Sequence, residues 1–299
     1  MIKVNLRERK TEMSKIKIAT DSTADIPKDL CEKWNISVLP LTIIYEGKEY
    51  RDGIDVSPQS FYEILDSAER LPTSSQVTVN MYTELFQRCR EEGYTDLIHV
   101  TLNSKGSGTY QAAELAKSLF YESQPEANQD FRIHIIDSKT YSMAYGLPVL
   151  EGAQMICRGA SVEEVIDHIE EWLMHTRPVF VPLNLKCVKK SGRVSAAAAF
   201  VGDMIGLKPL ITFEDGEAKI IAKARGENNA ISALVERCVS ERRPGTNYAL
   251  VYGNNSAAFA KLKSACAEAL DCPPLVEYQV GCVIGINTGP DMVGILYRT

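Results

Sequence analysis

The chain has 299 residues, 45% of them hydrophobic and 24% charged, with a formal net charge of −6 and a pI near 5.4. Length and balance suit one large or two medium domains with a full core, and the acidity, with no basic run carrying interleaved aromatics, argues against a nucleic-acid-binding surface. No segment approaches an apolar membrane span and the basic start, MIKVNLRERKTEMSK, lacks a signal-peptide core, so the expectation is a cytoplasmic protein without an integral membrane segment.

Residues 1–14 read as a loose extension outside the fold. The first strand is Lys15 to Thr20, running into DSTADIPKDL, where Asp25 is placed to cap a helix opening near Pro27. Ile36 to Tyr45 and Lys48 to Tyr50 read as strands around Glu46-Gly47, a hairpin that stands off the main sheet. Ser57-Pro58 starts a short helix, and Thr78 caps another whose Val79, Tyr82, Leu85, Phe86 and Cys89 share a face, ending at Gly93. Between them Thr73-Ser74-Ser75-Gln76 reads as a hydroxyl-rich loop.

The stretch Leu97 to Phe120, LIHVTLNSKGSGTYQAAELAKSLF, changes from an apolar strand to a helical period at Asn103 to Thr109. Ser104, Ser107, Thr109 and two glycines at a helix start suit a carboxylate or phosphate in the crevice of an open α/β sheet. An ordinary serine N-cap fits the same residues. A strand at Phe131 to Asp137 and a helix at Tyr141 to Cys157 complete a strand and helix alternation, which implies a mainly parallel sheet with helices on both faces.

Near Gly159 the pattern changes to α+β. A capping box at Ser161 and Glu164 opens an amphipathic helix, followed by the strand PVFVPL, a basic turn KCVKKSGRVS, an Ala-rich helix capped by Ser195, and the hairpin PLITFEDGEAKII turning at Asp215-Gly216. Helices at Asn228 to Ser240 and Ser256 to Leu270 flank the strand YALVYG. The segment GCVIGINTGPDMVG, with four glycines, either bends a sheet or lets backbone approach a ligand. The expected units are therefore 1–14, an α/β domain at 15–158 with an excursion at about 38–56, and an α+β domain at 159–299.

The four histidines have no metal-ligand spacing and the eight cysteines are dispersed without a CxxC, so packing thiols are expected and no metal or other cofactor. No glycine-rich nucleotide loop and no G-x-S-x-G elbow occurs. Arg193 and Arg225 flank one hairpin and read either as solvated surface or as a clamp for phosphate or carboxylate.

Several separated motifs then align in order: IATDSTADIP, PTSSQV at Pro72 to Val77, SGTYQAA at Ser107 to Ala113, DSKTYSMAYG at Asp137 to Gly146, KKSGRVS at Lys189 to Ser195, LKPLI at Leu207 to Ile211, and GINTGPDMVG. In that combination the chain resembles the DegV family, whose characterised members include the fatty-acid-binding subunits of bacterial fatty acid kinase. The resemblance implies two α/β-type domains with an apolar pocket between them and a carboxylate at its mouth. It assigns carboxylate contacts to Ser74 and Ser107, with Ser75, Gly108, Thr109, Asn287 and Thr288 in the same ligand-binding set, and a phosphate or kinase-facing role to Arg193 and Arg225. The chain departs from the family's pattern at Ser74 for threonine, Ser191 for glycine and Asn287 for histidine, the last removing a group that can become cationic. The implied function is a monomeric, non-catalytic carrier of a long-chain fatty acid, serving a separate ATP-dependent fatty acid kinase subunit. The rivals are a hydrolase using Ser107 and a binder of another small carboxylate or phosphate.

Overall fold

The computed structural model describes residues 14–68, 70–194 and 206–299. The expected Ser195 cap with its Ala-rich helix, and nearly all of the N-terminal extension, lie outside the described residues. Among these residues three sheets form. The first has the order β2-β1-β6-β7, all parallel, with β1 Ile16–Asp21, β2 Ile36–Leu39, β6 Asp96–Thr101 and β7 Arg132–Asp137. β1 and β6 are buried at every position, as a sheet covered on both faces requires. The register puts Ile18 beside Ile98 and Ala19 beside His99, so the two pairs face opposite sides. On the His99 side lie α3 Val79–Glu91 and α4 Thr109–Ser123, with Tyr82 stacked edge-on against His99 and Phe86 against Phe120. On the Ile18 side lie α6 Met143–Cys157 and α7 Val162–His175, packed so closely that a Cβ on Gly152 would sit 3.1 Å from Ile18 Cδ1 and 3.2 Å from Val165 Cγ1. Helix α7 begins past the change of pattern near 159, yet Val162, Val165 and Ile169 join the core of this first sheet.

The strands at 36–45 divide. β2 pairs with β1 in the main sheet, and after Pro40 the chain leaves it to form β3 Thr42–Tyr45 and β4 Lys48–Arg51, turning at Glu46 and Gly47 with positive φ. The stretch expected as a hydroxyl-rich loop is in part a strand, β5 Thr73–Ser75, added antiparallel to β3 so that Ser74 faces Ile43. Three residues with high hydroxyl content carry no period, and only the partner strand makes them extended.

The second sheet has the order β10-β9-β8-β13-β11-β12, with β8 Thr176–Pro182, β9 Leu207–Glu214, β10 Glu217–Arg225, β11 Tyr248–Tyr252, β12 Val276–Gln279 and β13 Met292–Arg298. Only β11 and β12 pair in parallel; the other pairs are antiparallel. One face packs its Leu210, Leu250 and Ile295 with α9 Glu227–Glu241 and α10 Ser256–Ala269. The other face, with Phe180, Ile211, Val251 and Leu296, joins the core of the first domain. Two segments not expected as helices form them: Lys186–Ser191 (α8) within the basic turn and Cys282–Thr288 (α11) within the glycine-rich segment. In α11 Gly285 is tolerated because it lies against Tyr62, whose hydroxyl would sit 2.8 Å from a Cβ.

Candidate functional site

The parallel sheet has its switch of strand order between β1 and β6, where a crevice opens beyond the carboxyl ends of the strands. Asp21, ending β1, spans it: its carboxylate accepts the N–H of Leu102 at 2.8 Å and the hydroxyl of Tyr145 at 2.8 Å. The turn after β6 is held from beneath. Ser104 donates both N–H and hydroxyl to Asp137, at 3.0 and 2.5 Å, so this serine faces away from the crevice. Asn103, fully buried, donates to Tyr141 Oη at 2.9 Å and to the carbonyl of Gly216 at 2.7 Å, clasping the tip of the β9–β10 hairpin to the first domain.

Between the second sheet and the first domain's β5 and post-strand loops lies a cavity of about 330 Å³. Its apolar wall comes mainly from the second sheet and α11, with Val179, Phe180, Phe213, Val283, Ile284 and Leu296. Phe180, Phe213 and Tyr141 form a run of rings, 5.9 and 4.7 Å between centroids. Its polar part comes from the first domain, with Ser74, Ser75 and Gln76 at the end of β5 and Gly106, Ser107 and Gly108 before α4, and from Arg193, Asn287 and Thr288 of the second. The two glycines are required by crowding. A Cβ on Gly106 would fall 1.9 Å from Tyr141 Oη, and one on Gly108 2.1 Å from Gln76 Oε1.

The structure thus brings together Ser74, Ser75, Ser107, Gly108, Asn287, Thr288 and Arg193. The N-cap of α4 is Gly108, without a side-chain bond, so the serine N-cap is not what the turn contains. Ser107 instead meets Thr109, hydroxyl to hydroxyl at 2.9 Å, and accepts the Thr109 N–H at 3.3 Å. Thr109 itself is buried behind the wall, where its oxygen accepts the N–H of Val77, and it does not line the cavity. Thr288 gives its hydroxyl to the carbonyl of Ile284, and Asn287 its amide to that of Val283, both one turn back in α11. Arg225 is not at the site. It ends β10, eight residues or roughly 26 Å from the hairpin turn, whereas Arg193 lies at the cavity, so the two cannot clamp one group.

Two features escaped the sequence. The aromatic wall is drawn from segments that read as ordinary core strands. Asp25, expected to cap α1 Lys28–Lys33, does not: the N-cap is Pro27, and the carboxylate of the half-buried Asp25 accepts the hydroxyl of Ser142 and the N–H of Gly281 at 3.0 Å. It joins the two domains beside the cavity, holding Ser142, at φ 59°, and the start of α11. A lone aspartate after a strand gives no sign of a partner 256 residues away. Burial raises the pKa of Asp25 well above the usual carboxylate range and that of Asp52 to about 6, each opposed by the hydrogen bonds it accepts. His99 is fully buried against Tyr82 and its pKa is pushed down to about 3 by desolvation, which makes it a neutral core residue. Among the described residues no group of three His, Cys, Asp or Glu side chains is placed to hold a metal ion, and no helix is long and apolar enough to cross a membrane.

A parallel-sheet domain and a mixed-sheet domain with an apolar, hydroxyl-bearing cavity between them define a two-domain α/β protein whose candidate site is the interdomain cleft. The family model described as "Uncharacterised protein, DegV family COG1307" matches residues 15–299. The chain belongs to the DegV family. It is 32% identical over 291 residues to a DegV domain-containing protein of Caldanaerobacter subterraneus subsp. tengcongensis, covering 96% of this chain and 99% of the relative. A Clostridium perfringens relative is 33% identical over 284 residues, covering 94% and 98%. Among solved structures, a fatty-acid-binding DegV family protein from Thermus thermophilus superposes with a TM-score of 0.84 at 27% identity, covering 95% of this chain and all of the other. DegV from Bacillus subtilis, a fatty acid binding protein, gives 0.79 at 28% identity with 95% and 98% covered.

Proposed function

We propose that this chain binds a long-chain fatty acid in the interdomain cavity, with the carboxylate at Ser107 and Ser74, and presents it in the cytoplasm to a separate ATP-dependent kinase that forms the acyl phosphate. The observation that carries the reading is the division of the cavity into an aromatic and aliphatic wall and a short hydroxyl-bearing mouth, the layout an amphiphile with one polar end needs. The fatty-acid binding of the Thermus and Bacillus relatives supports it. Each buried methylene contributes roughly 0.8 kcal/mol, so the tail supplies affinity and the mouth supplies orientation. Ser107 and Thr109 share a hydroxyl contact at 2.9 Å whose proton either can supply; with Thr109 as the donor, the Ser107 hydroxyl proton is left for the carboxylate. Arg193, exposed at the rim, is the group positioned for a phosphate or the kinase.

No imidazole supports the hydrolase rival: none of the four histidines lines the cavity, and His99, His134 and His168 are engaged by Tyr82, Asp96 and Glu151. Mass spectrometry of an organic extract of the purified protein is the test. A long-chain fatty acid at about one equivalent is expected; an empty cavity, or a polar metabolite in it, overturns the reading.

A further inference from the structure

A second cavity, of about 190 Å³, is lined by Leu147 of α6 and Trp172 of α7 on one side and by the second sheet on the other. Among the described residues Leu296 alone lines both cavities, and it is buried. Strand β13 explains the placement. Residues 292, 294, 296 and 298 share one face of it, and at ~3.3 Å per residue they form a scale along the floor of the two cavities. Met292 stands at the mouth end, close after Asn287 and Thr288 of α11, and lines the first cavity only. Gly294 has no room for a side chain: a Cβ there would fall 2.8 Å from Phe180 Cβ and 2.9 Å from Val251 Cγ1. Leu296 comes next, ~13 Å from Met292 along the strand. Arg298, past it, lines the second cavity only.

Across the strands the same side chain marks the border. Pro178 of β8 and Ala249 of β11 flank Leu296 in register; Pro178 lines the first cavity and Ala249 the second. Neither neighbour can close the gap if the isobutyl group is removed, because one side chain is a methyl and the other a ring fixed to its strand. The apolar lining of the second cavity, Leu147, Trp172, Ala249 and Leu275, suits the end of an acyl chain. Its charged residues are engaged with partners, Glu151 with His168 at 2.8 Å and Arg298 with Glu171 at 2.6 Å.

Resting on the carrier reading above, we propose that Leu296 is the stop of the acyl chamber and sets the longest chain the protein accepts. The tail runs from the hydroxyl mouth along β13 until its terminal methyl meets the Leu296 side chain, and the second cavity is space that this side chain denies to longer acids. The test is affinity against chain length for the delipidated full chain and for Leu296→Ala, using saturated acids from dodecanoic to docosanoic. Each methylene buried tightens binding about fourfold, so the wild type is expected to gain affinity with length and to stop gaining at the acid whose end reaches Leu296. In Leu296→Ala the gain is expected to continue past that acid, and the lipid extracted from the purified variant to shift to longer chains. Leu296→Val, a milder truncation suited to a strand, is expected to move the limit the same way by less, and it decides the matter should the alanine variant not fold. The same limit in the wild type and in each folded variant overturns the proposal. So does a crystal structure of Leu296→Ala holding a longer acid whose end lies elsewhere than beside Leu147 and Trp172. A wild-type chain that takes up none of these acids overturns the carrier reading and this proposal with it, whereas an unmoved limit overturns this proposal alone.

Discussion

Ser107 stands between two glycines whose missing side chains make room for Tyr141 and Gln76, and that crowding fixes where its hydroxyl sits. Since the cap of α4 is the backbone of Gly108, removing the hydroxyl takes from the fold only its two bonds to Thr109, with its hydroxyl and its N–H, about 1 kcal/mol. A hydrogen bond to a carboxylate is worth about 1.5–3 kcal/mol, roughly ten- to more than hundredfold in affinity. Ser107→Ala is therefore expected to keep its thermal midpoint nearly unchanged and to lose fatty-acid affinity by that factor, measured by fluorescent fatty-acid displacement beside a melt. A lowered midpoint with full affinity would move the carboxylate to Ser74.

At the scale of elements, α11 is the piece that both domains share. Its N–H at Gly281 is taken by Asp25 of the first domain, Cys282 lies beside Asp52, and its far end carries Asn287 and Thr288 at the cavity. Asp52 is buried, accepts the Ser22 hydroxyl at 2.7 Å, and has its pKa raised to about 6, burial being the largest cause. A carboxyl whose folded pKa lies above its unfolded value binds more protons folded than unfolded between the two. Its contribution to stability is thus greatest below about pH 4, falls as pH rises to about 6, and is flat beyond; the difference amounts to about 3 kcal/mol. Asp52→Asn, which keeps the shape and an acceptor for Ser22, removes this dependence. Its melting point relative to wild type is expected to rise across pH 4 to 6 and then level; parallel curves for the two proteins would show that Asp52 ionises freely in the folded chain.

For the whole molecule, the cavity is lined by segments of both domains, so a ligand in it adds to the contacts that already join them, among them the shared core, Asp25 with Gly281 and Asn103 with Gly216. A ligand that binds the folded state alone at a hundred times its Kd adds about 2.7 kcal/mol. Extracting the lipid is expected to lower the midpoint by several degrees, and adding back a long-chain fatty acid to restore it in a concentration-dependent way, read by scanning calorimetry. An unchanged midpoint after complete extraction would mean that the two domains are fixed without the ligand.

What the sequence by itself determined is local or additive. The buried strands β1 and β6, the caps Ser57, Thr78 and Ser161, the hairpin turn at Asp215-Gly216 and the turn before α4 all follow from residue type at fixed spacing, and motif order alone carried the family. Tertiary structure decided what depends on partners distant in the chain. The hydroxyl-rich Thr73, Ser74 and Ser75 say loop until β3 pairs with them; Asp25 says cap until Ser142 and Gly281 arrive to satisfy its two oxygens. Arg193 and Arg225 look equivalent around one hairpin, but the rigid length of β10 sends one to the cavity and the other away. The aromatic wall has the same reason: a cavity is the space that separate elements fail to fill, and no stretch of sequence contains it.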